Sequence, residues 1–390
     1  MSTSEMTLPP PVAPPARRRR RWPVPLLVLL GVIVALVAAS ALITAPYYEL
    51  VPGDAVPVAG LITVPAGQGH PLSGKVLLTD VGVNTMRYIQ FVPAWLDSDA
   101  TIVSSGALTG NLPVSEFDAQ GVVDMSESQL TAQAVALRQL GYDVPEHDAG
   151  TTVYVIDPTS PAWKVLHVGD VISAIDGTPT PNPDALVSVL HQHRPGETVT
   201  LRVGSIENPT PGHDVSLRLG SIRQNGVVEP LIGIGAPQAN IPSMGTQPVY
   251  DFPFPVHISS DNIGGPSAGL AFTLGIVDTL SGGQLTGGRI VAATGTIHPD
   301  GSVGDVGGVP QKTVAVERAH ATLFLVPPDE LAAAKAKATP GLTVRAVATV
   351  GDALAILEQL GGHLGGAVTG PPAGPGGHSV PYKWQDSPWT

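Results

Sequence analysis

The chain reads as a multidomain α+β protein with an N-terminal transmembrane helix and β-rich segments beyond it. Three observations predict this. An uncharged apolar run of 22 residues, Val24 to Ala45, follows closely on the basic cluster Arg17 to Arg21. Short runs of β-branched residues, broken by glycine and proline, recur through much of the remaining sequence. Helical spacing of apolar residues is confined to a few separate stretches.

Composition bounds the rest. At 390 residues the chain exceeds one ordinary domain, so two or three are expected. A charged fraction of 13% against an apolar fraction of 43% allows sizeable cores. The 45 glycines and 40 prolines predict many turns and disordered ends. Cysteine is absent, which excludes disulfides, zinc–thiolate sites and thiol nucleophiles. A net charge of −12 argues against nucleic acid as a partner, because phosphate backbones demand lysine and arginine patches.

Residues 1–23, rich in proline and arginine, are expected to form a disordered cytoplasmic tail. Residues 24–46 are the expected anchor. At about 1.5 Å per residue the apolar run spans a hydrocarbon core of roughly 30 Å. A signal peptide carries an apolar core of only about 7–15 residues. Ala38-Ala39-Ser40-Ala41 still keeps cleavage as the alternative. The preceding arginines place the N-terminus in the cytoplasm and the rest outside the cell membrane. Pro46, Tyr47 and Tyr48 suit an interfacial end.

Residues 47–146 form an N-terminal extracytoplasmic region. Val76-Leu77-Leu78 and Thr101-Ile102-Val103 read as strands between Gly/Pro turns. Ser126 and Gln129 are spaced as a capping box. Leu130, Ala134 and Leu137 follow at helical spacing, up to Leu140 with Gly141 as the stop.

Residues 147–222 contain a compact β-rich unit. Its marks are Ser160-Pro161-Ala162, then Val168-Gly169-Asp170-Val171-Ile172, then Ile175-Asp176-Gly177. Pro183–His191 reads as one helix, and Pro195-Gly196-Glu197-Thr198-Val199 as the turn into a strand. This pattern resembles a PDZ domain of the bacterial, protease-associated kind. The resemblance implies a groove whose exposed edge takes a peptide as an added strand. The usual Gly-apolar-Gly-apolar carboxylate loop is not clear; only Ala149-Gly150-Thr151-Thr152 is available. A PDZ module that only packs as a spacer is the alternative.

Residues 225–361 form the last domain, and 362–390 a Gly/Pro-rich tail expected to be disordered. Within this domain Gly264-Gly265-Pro266-Ser267-Ala268-Gly269 opens a helix. Gly265, Ser267 and Gly269 have the G-x-S-x-G spacing of a nucleophile elbow. Pro266 suits the first helical position. A helix start beside Ser267 aims free N–H groups and a positive dipole end at the substrate carbonyl, as a tetrahedral oxyanion requires. Glycine this abundant also produces such spacing by chance.

A serine nucleophile needs a base. Asp278, Asp305, His298, His320 and His363 follow it, and the sequence distinguishes none of them; His257 precedes it in a strand-like stretch, where a structural role fits it better. Lys312 is a sharper candidate. It begins the helix after Gly307-Gly308-Val309-Pro310, and Ala315, Val316 and Ala319 lie at i+3, i+4 and i+7. The lysine therefore falls on the apolar face, where burial and a helix N-terminus both lower its pKa. A neutral amine can accept the serine proton. The bland reading is a lysine that snorkels out of an apolar face.

Ser267 and Lys312 lie 45 residues apart, with Arg289 to Ile297 between them. GPSAG around the serine, AATGTI in the middle and GDVGGVPQK ending on the lysine together resemble the proteolytic domain of Lon. A helix and then Leu323-Phe324-Leu325-Val326-Pro327 follow in the same order. The resemblance implies a Lon-type α/β proteolytic domain with Ser267 as nucleophile, Lys312 as general base and Thr294 beside the lysine. The elbow backbone, at Gly265 and Ala268 with Ser267 itself, would support the oxyanion. Lon proteins commonly carry an acid three residues before the serine; Gly264 stands there, and Asp261 is the nearest acid.

No G-x-x-x-x-G-K-[ST] phosphate loop is present; Gly67 to Lys75 has the wrong spacing. Anchor, PDZ module and Lon-type domain together resemble the bacterial membrane-anchored PDZ–Lon-like serine proteases. That resemblance implies an ATP-independent endopeptidase acting on extracytoplasmic proteins or peptides. No cofactor and no metal is expected. Lon-type domains commonly assemble into rings, so a homo-oligomer is implied. Two rivals stay open: a PDZ scaffold with an inactive Lon-like domain, and a Ser-His esterase on the same elbow.

Overall fold

The computed structural model describes residues 24–110, 112–224, 226–235, 243–260 and 263–365. The tail expected at 1–23, most of that expected at 362–390, and Asp261 lie outside the described residues.

The apolar run forms α1, Val24–Leu42, the one helix among the described residues long and apolar enough to cross a membrane. It stops three residues earlier than expected, because Thr44 already begins a strand. That strand is β1 (Thr44–Pro57), and it pairs antiparallel with β2 (Lys75–Arg87). Pro46, Tyr47 and Tyr48 therefore lie in β1 directly after the end of α1, with Tyr48 buried. A short helix, α2 (Phe91–Leu96), leads to β3 (Thr101–Ser104) on the other side of β1.

The helix expected from Leu130 is far longer. α3 runs Val114–Gln139, so Ser126 and Gln129 lie mid-helix and cap nothing. Pro113 sets the start, as an extended N-cap residue. The expected stop is present: Gly141 takes φ 85°.

β4 (Glu146–Val153), β5 (Asp170–Ile175), α4 (Pro183–Leu190), β6 (Thr198–Ser205) and β7 (His213–Arg218) build the PDZ unit. α4 is capped by Asn182, whose side chain accepts from the Ala185 N–H at 3.0 Å. The sheet runs β8-β4-β5-β6-β7, where β8 is Met244–Tyr250. The unit was expected to end at residue 222, yet a strand from the next expected domain closes its sheet. The Thr152 hydroxyl holds it there, donating to the buried Gln247 Oε1 at 2.9 Å.

The last part supplies α5 (Gly269–Leu280), β9 (Ile290–Ala293), α6 (Val309–Arg318), β10 (Leu323–Val326), β11 (Thr343–Ala346) and α7 (Val350–Gln359). Its strands do not form a sheet of their own. The order is β11-β10-β9-β2-β1-β3, parallel from β11 to β2 and antiparallel at β1 and β3. The boundary expected between 47–146 and 225–361 therefore does not divide the fold. One sheet crosses it, and the PDZ unit is an insertion between its two halves.

The core explains why. α5 is apolar nearly all round, so it is buried on every side. Leu270, Phe272, Leu274 and Ile276 pack with Val76 and Leu78 of β2, Ala134 and Leu137 of α3, and Val291 and Ala293 of β9. The opposite sheet face packs Leu77, Ala292 and Phe324 against Val309 and Val316 of α6. Neither half can cover its apolar surface without the other. All four residues of β10 are buried, as a parallel strand covered on both faces must be.

Candidate active site

Two helix starts meet at the C-terminal end of β9, one from each face of the sheet. Alternation along β9 turns Val291 and Ala293 toward α5 and Ala292 toward α6. Thr294 is the next residue, fully buried at the rim between the two helices. The end of a parallel strand is where open α/β sheets place their chemistry.

On the α5 side the chain makes a tight turn. Pro266–Ala268 form one 3₁₀ turn that runs directly into α5. Gly265 takes φ 88° and ψ 156°, a region essentially closed to side-chain-bearing residues. The turn is tied down around the serine. The Gly265 N–H donates to the Gly121 carbonyl of α3 at 2.7 Å. The Ser128 hydroxyl, also on α3, donates to the Pro266 carbonyl at 3.1 Å. The Ser267 carbonyl accepts from the Gly295 N–H at 3.0 Å and from the Thr294 hydroxyl at 3.3 Å. Ser267 itself is half-buried at the surface of this scaffold.

On the α6 side, Gly308 caps the helix with φ 69°, and Lys312 follows within the first turn. The apolar spacing is borne out, since Lys312 is only 3% exposed beside Ala315 and Val316. Its Nζ donates to Thr294 Oγ1 at 3.1 Å. Burial pulls its pKa down to about 8, against the opposing pull of the Asp80 and Glu330 carboxylates. Thr294 Oγ1 thus accepts a hydrogen bond from Lys312 Nζ and donates its own to the Ser267 carbonyl.

The other candidates are placed differently. His257, His298, His320 and His363 are all exposed. Asp278 is fully buried, and its Oδ1 accepts the Leu285 N–H at 2.9 Å beyond the end of α5. Asp305 is exposed. Ala268 and Gly265 flank the serine within the turn. Ser128, Gly121, Asp80 and Glu330 escaped the sequence reading. Each is more than 17 residues from the residue it touches or faces, and no local pattern marks them.

The PDZ loop also differs from expectation. Ala149 to Thr152 lie inside β4 and form no loop. A Gly-apolar-Gly stretch does occur at Gly233-Ile234-Gly235, with φ 98° and 108° at the glycines. Ile234 bridges Ile156, and the Gly235 N–H donates to the Val155 carbonyl at 2.7 Å. The repeat was legible in the sequence but sits outside the expected unit.

Comparison with known proteins bears on both parts. Residues 249–358 match the family model of the Lon protease (S16) C-terminal proteolytic domain, and residues 139–204 match that of the PDZ domain. Similar solved structures include the PDZ domain of an SdrC-like protein from Listeria monocytogenes. It is 27% identical, with 22% of this chain and 84% of that chain covered and a TM-score of 0.19. The corresponding domain from Listeria innocua is 25% identical, with 22% and 89% covered and a TM-score of 0.19. A Geobacillus thermodenitrificans protein is 28% identical, with 19% and 83% covered and a TM-score of 0.17. No curated protein matches the chain. The α/β part that holds these residues is thus similar to the proteolytic domain of a serine peptidase. More particularly, the chain carries a Lon-type (S16) proteolytic domain together with a PDZ domain.

Proposed function

We propose that the protein is an ATP-independent serine endopeptidase with a Ser267–Lys312 dyad, held at the outer face of the cytoplasmic membrane by α1. One observation carries this reading: the buried Lys312 amine and the Ser267 backbone meet on the same threonine hydroxyl. Ser267 Oγ attacks the peptide carbonyl while Lys312 takes its proton. The C–N bond then breaks, and Lys312 returns that proton to the leaving amine. Lys312 next deprotonates a water, which attacks the acyl-enzyme ester; the C–Oγ bond breaks, and Lys312 returns the proton to Ser267 Oγ as the acid leaves. The N–H groups of Ser267 and Ala268 line the oxyanion pocket. In an i→i+3 turn the Ala268 N–H leans toward the Gly265 carbonyl, so the Ser267 N–H is the freer donor. Thr294 positions both partners.

Substrates are extended or loosened segments of extracytoplasmic proteins, since the chain supplies no unfoldase motif. The PDZ unit binds or senses them. Labelling by a serine-directed fluorophosphonate tests the reading against its rivals. The dyad labels only with Lys312 present, and Lys312→Ala abolishes the signal. A Ser-His esterase labels in the Lys312→Ala variant as strongly as in the parent. A scaffold with an inactive domain never labels.

A further inference from the structure

We infer that the segment Tyr88–Leu96 is a second membrane contact, lying in the interface of the same bilayer that α1 crosses. The segment reads Tyr-Ile-Gln-Phe-Val-Pro-Ala-Trp-Leu. Its helical part, α2, turns Ala94 into the protein and three large apolar side chains outward. Val92 is 66% exposed, Trp95 79% and Leu96 71%. Positions 92, 95 and 96 are spaced i, i+3 and i+4, so they share one face. Tyr88 and Ile89 extend that face. A soluble surface seldom leaves a tryptophan and three aliphatic side chains together in water.

What covers this face follows from its position. The end of α1 lies against Tyr88–Gln90. The Arg87 guanidinium donates to the Ala41 carbonyl at 3.3 Å, and the Tyr88 N–H donates to the Ile43 carbonyl at 3.4 Å. Ala41 is in the last turn of α1, and Ile43 is the first residue after it. The apolar face is therefore fastened to the point where the chain leaves the hydrocarbon. That is the depth at which tryptophan and tyrosine concentrate, with an apolar ring body and a polar edge. Tyr47 and Tyr88 pack on Phe91, with ring centroids 5.2 and 6.1 Å apart, which stiffens the patch. The short helix lies in the membrane plane while α1 crosses it. Two contacts fix the orientation of the proteolytic sheet relative to the lipid, where one helix alone would leave it free to swing.

The inference rests on α1 as an anchor, and the test separates the two. The chain has no cysteine, so single cysteines label cleanly. Val32→Cys, Val92→Cys and Ile222→Cys are introduced one at a time in the full chain. Each carries an environment-sensitive fluorophore, in phosphatidylcholine–phosphatidylglycerol nanodiscs doped with nitroxide lipids. The label at 92 is expected to lose about half its emission to a nitroxide near the headgroup, as an interfacial helix requires. The label at 32 is expected to be quenched by a nitroxide near the tail end. The label at 222, exposed on the hairpin that follows the PDZ strands, stays bright. Quenching at 32 without quenching at 92 overturns the inference and leaves the anchor intact. Self-quenching between copies at 92, in place of lipid quenching, also overturns it and assigns the patch to a second copy. Quenching at 92 without 32 sinks the anchor on which the inference rests, and with it the reading of the patch as a second contact of the same bilayer. In the Val92→Cys background, Trp95→Glu with Leu96→Glu is expected to restore emission; unchanged quenching there would remove these side chains as the cause.

Discussion

Lys312 Nζ donates to Thr294 Oγ1 at 3.1 Å, and that hydroxyl reaches the Ser267 carbonyl at 3.3 Å. The residues come from the two faces of one sheet, and the threonine joins them at its rim. The first prediction follows from the lysine's burial. Its amine is a base only when neutral, and burial lowers its pKa from 10.5 to about 8. Peptidase kcat/KM should therefore be low at pH 6, rise through an apparent pKa near 8, and level off above it. Lys312→Arg should be folded and inactive, because guanidinium keeps its proton. An active arginine variant returns the base to a histidine.

Thr294 separates positioning from chemistry. Thr294→Ser keeps the hydroxyl and should keep most of the activity. Thr294→Val leaves the Lys312 amine without its buried acceptor, at about 1–3 kcal/mol. Where that cost falls on the transition state it corresponds to roughly a 5- to 150-fold loss in kcat. The ascending limb of the pH profile should also move, since a lost acceptor changes the lysine's pKa. Equal activity of the valine and serine variants rules the hydroxyl out.

Gly265 tests the turn by itself. A Cβ there meets nothing within 4 Å, so crowding is not the reason for glycine. The backbone is the reason, at φ 88° and ψ 156°. Gly265→Ala should cost about 1–3 kcal/mol of local strain. Relieving that strain displaces Ser267, and a shift of about 1 Å can cost a hundredfold in rate. The expected result is a large fall in kcat with a modest fall in melting temperature. A variant with parental kcat means the turn tolerates the change.

The candidate site was legible where its signals are local. Gly265, Pro266 and Ser267 announce a strained turn into a helix. The spacing of Lys312, Ala315 and Val316 announces a buried lysine. The architecture was less legible because its decisive contacts are remote. β2 reads as an ordinary strand, and nothing in it says that its parallel partner, β9, begins some two hundred residues later. β8 looks like part of the proteolytic domain by position, yet it completes the PDZ sheet. The start of α3 was missed because Ser126 and Gln129 imitate a cap inside a helix. A cap signal describes what a terminus can use, and tertiary packing decides whether the helix ends there.

α3 also links the PDZ unit to the elbow through adjacent residues. Glu127 accepts the Tyr154 hydroxyl at 2.9 and 3.0 Å, while Ser128 donates to the Pro266 carbonyl at 3.1 Å. Ser128→Ala should leave Pro266 without this tie and lower kcat several-fold, with KM little changed. Tyr154→Phe should release the PDZ side and move kcat in the same direction by a smaller amount. If Tyr154→Phe alters only thermal stability, the two contacts are structurally adjacent but uncoupled.

The same contact sets a pH dependence of stability. Burial raises the Glu127 carboxyl from 4.5 to about 7, with the Asp124 charge adding to the rise and the Tyr154 hydrogen bond opposing it. Asp124 is itself raised to about 6 by burial. A raised carboxyl binds its proton more tightly in the folded chain than in the unfolded one. Its contribution is therefore fully present below about pH 4.5 and lost as pH climbs through about 7. The loss from Glu127 is of order 1–3 kcal/mol. Glu127→Gln keeps an acceptor for Tyr154 without the charge. In nanodiscs, the variant and the parent should melt together near pH 5, and the variant should melt several degrees higher at pH 8. Ionising Glu127 strengthens its bond to the Tyr154 hydroxyl but leaves a desolvated charge between α3 and the PDZ unit, so the parent's amide exchange at Thr152 and Val153 should also accelerate between pH 6 and 8. Equal melting temperatures of variant and parent at both pH values, with no acceleration of exchange after correction for intrinsic rates, would mean that Glu127 is ionised throughout and that the interface tolerates the charge.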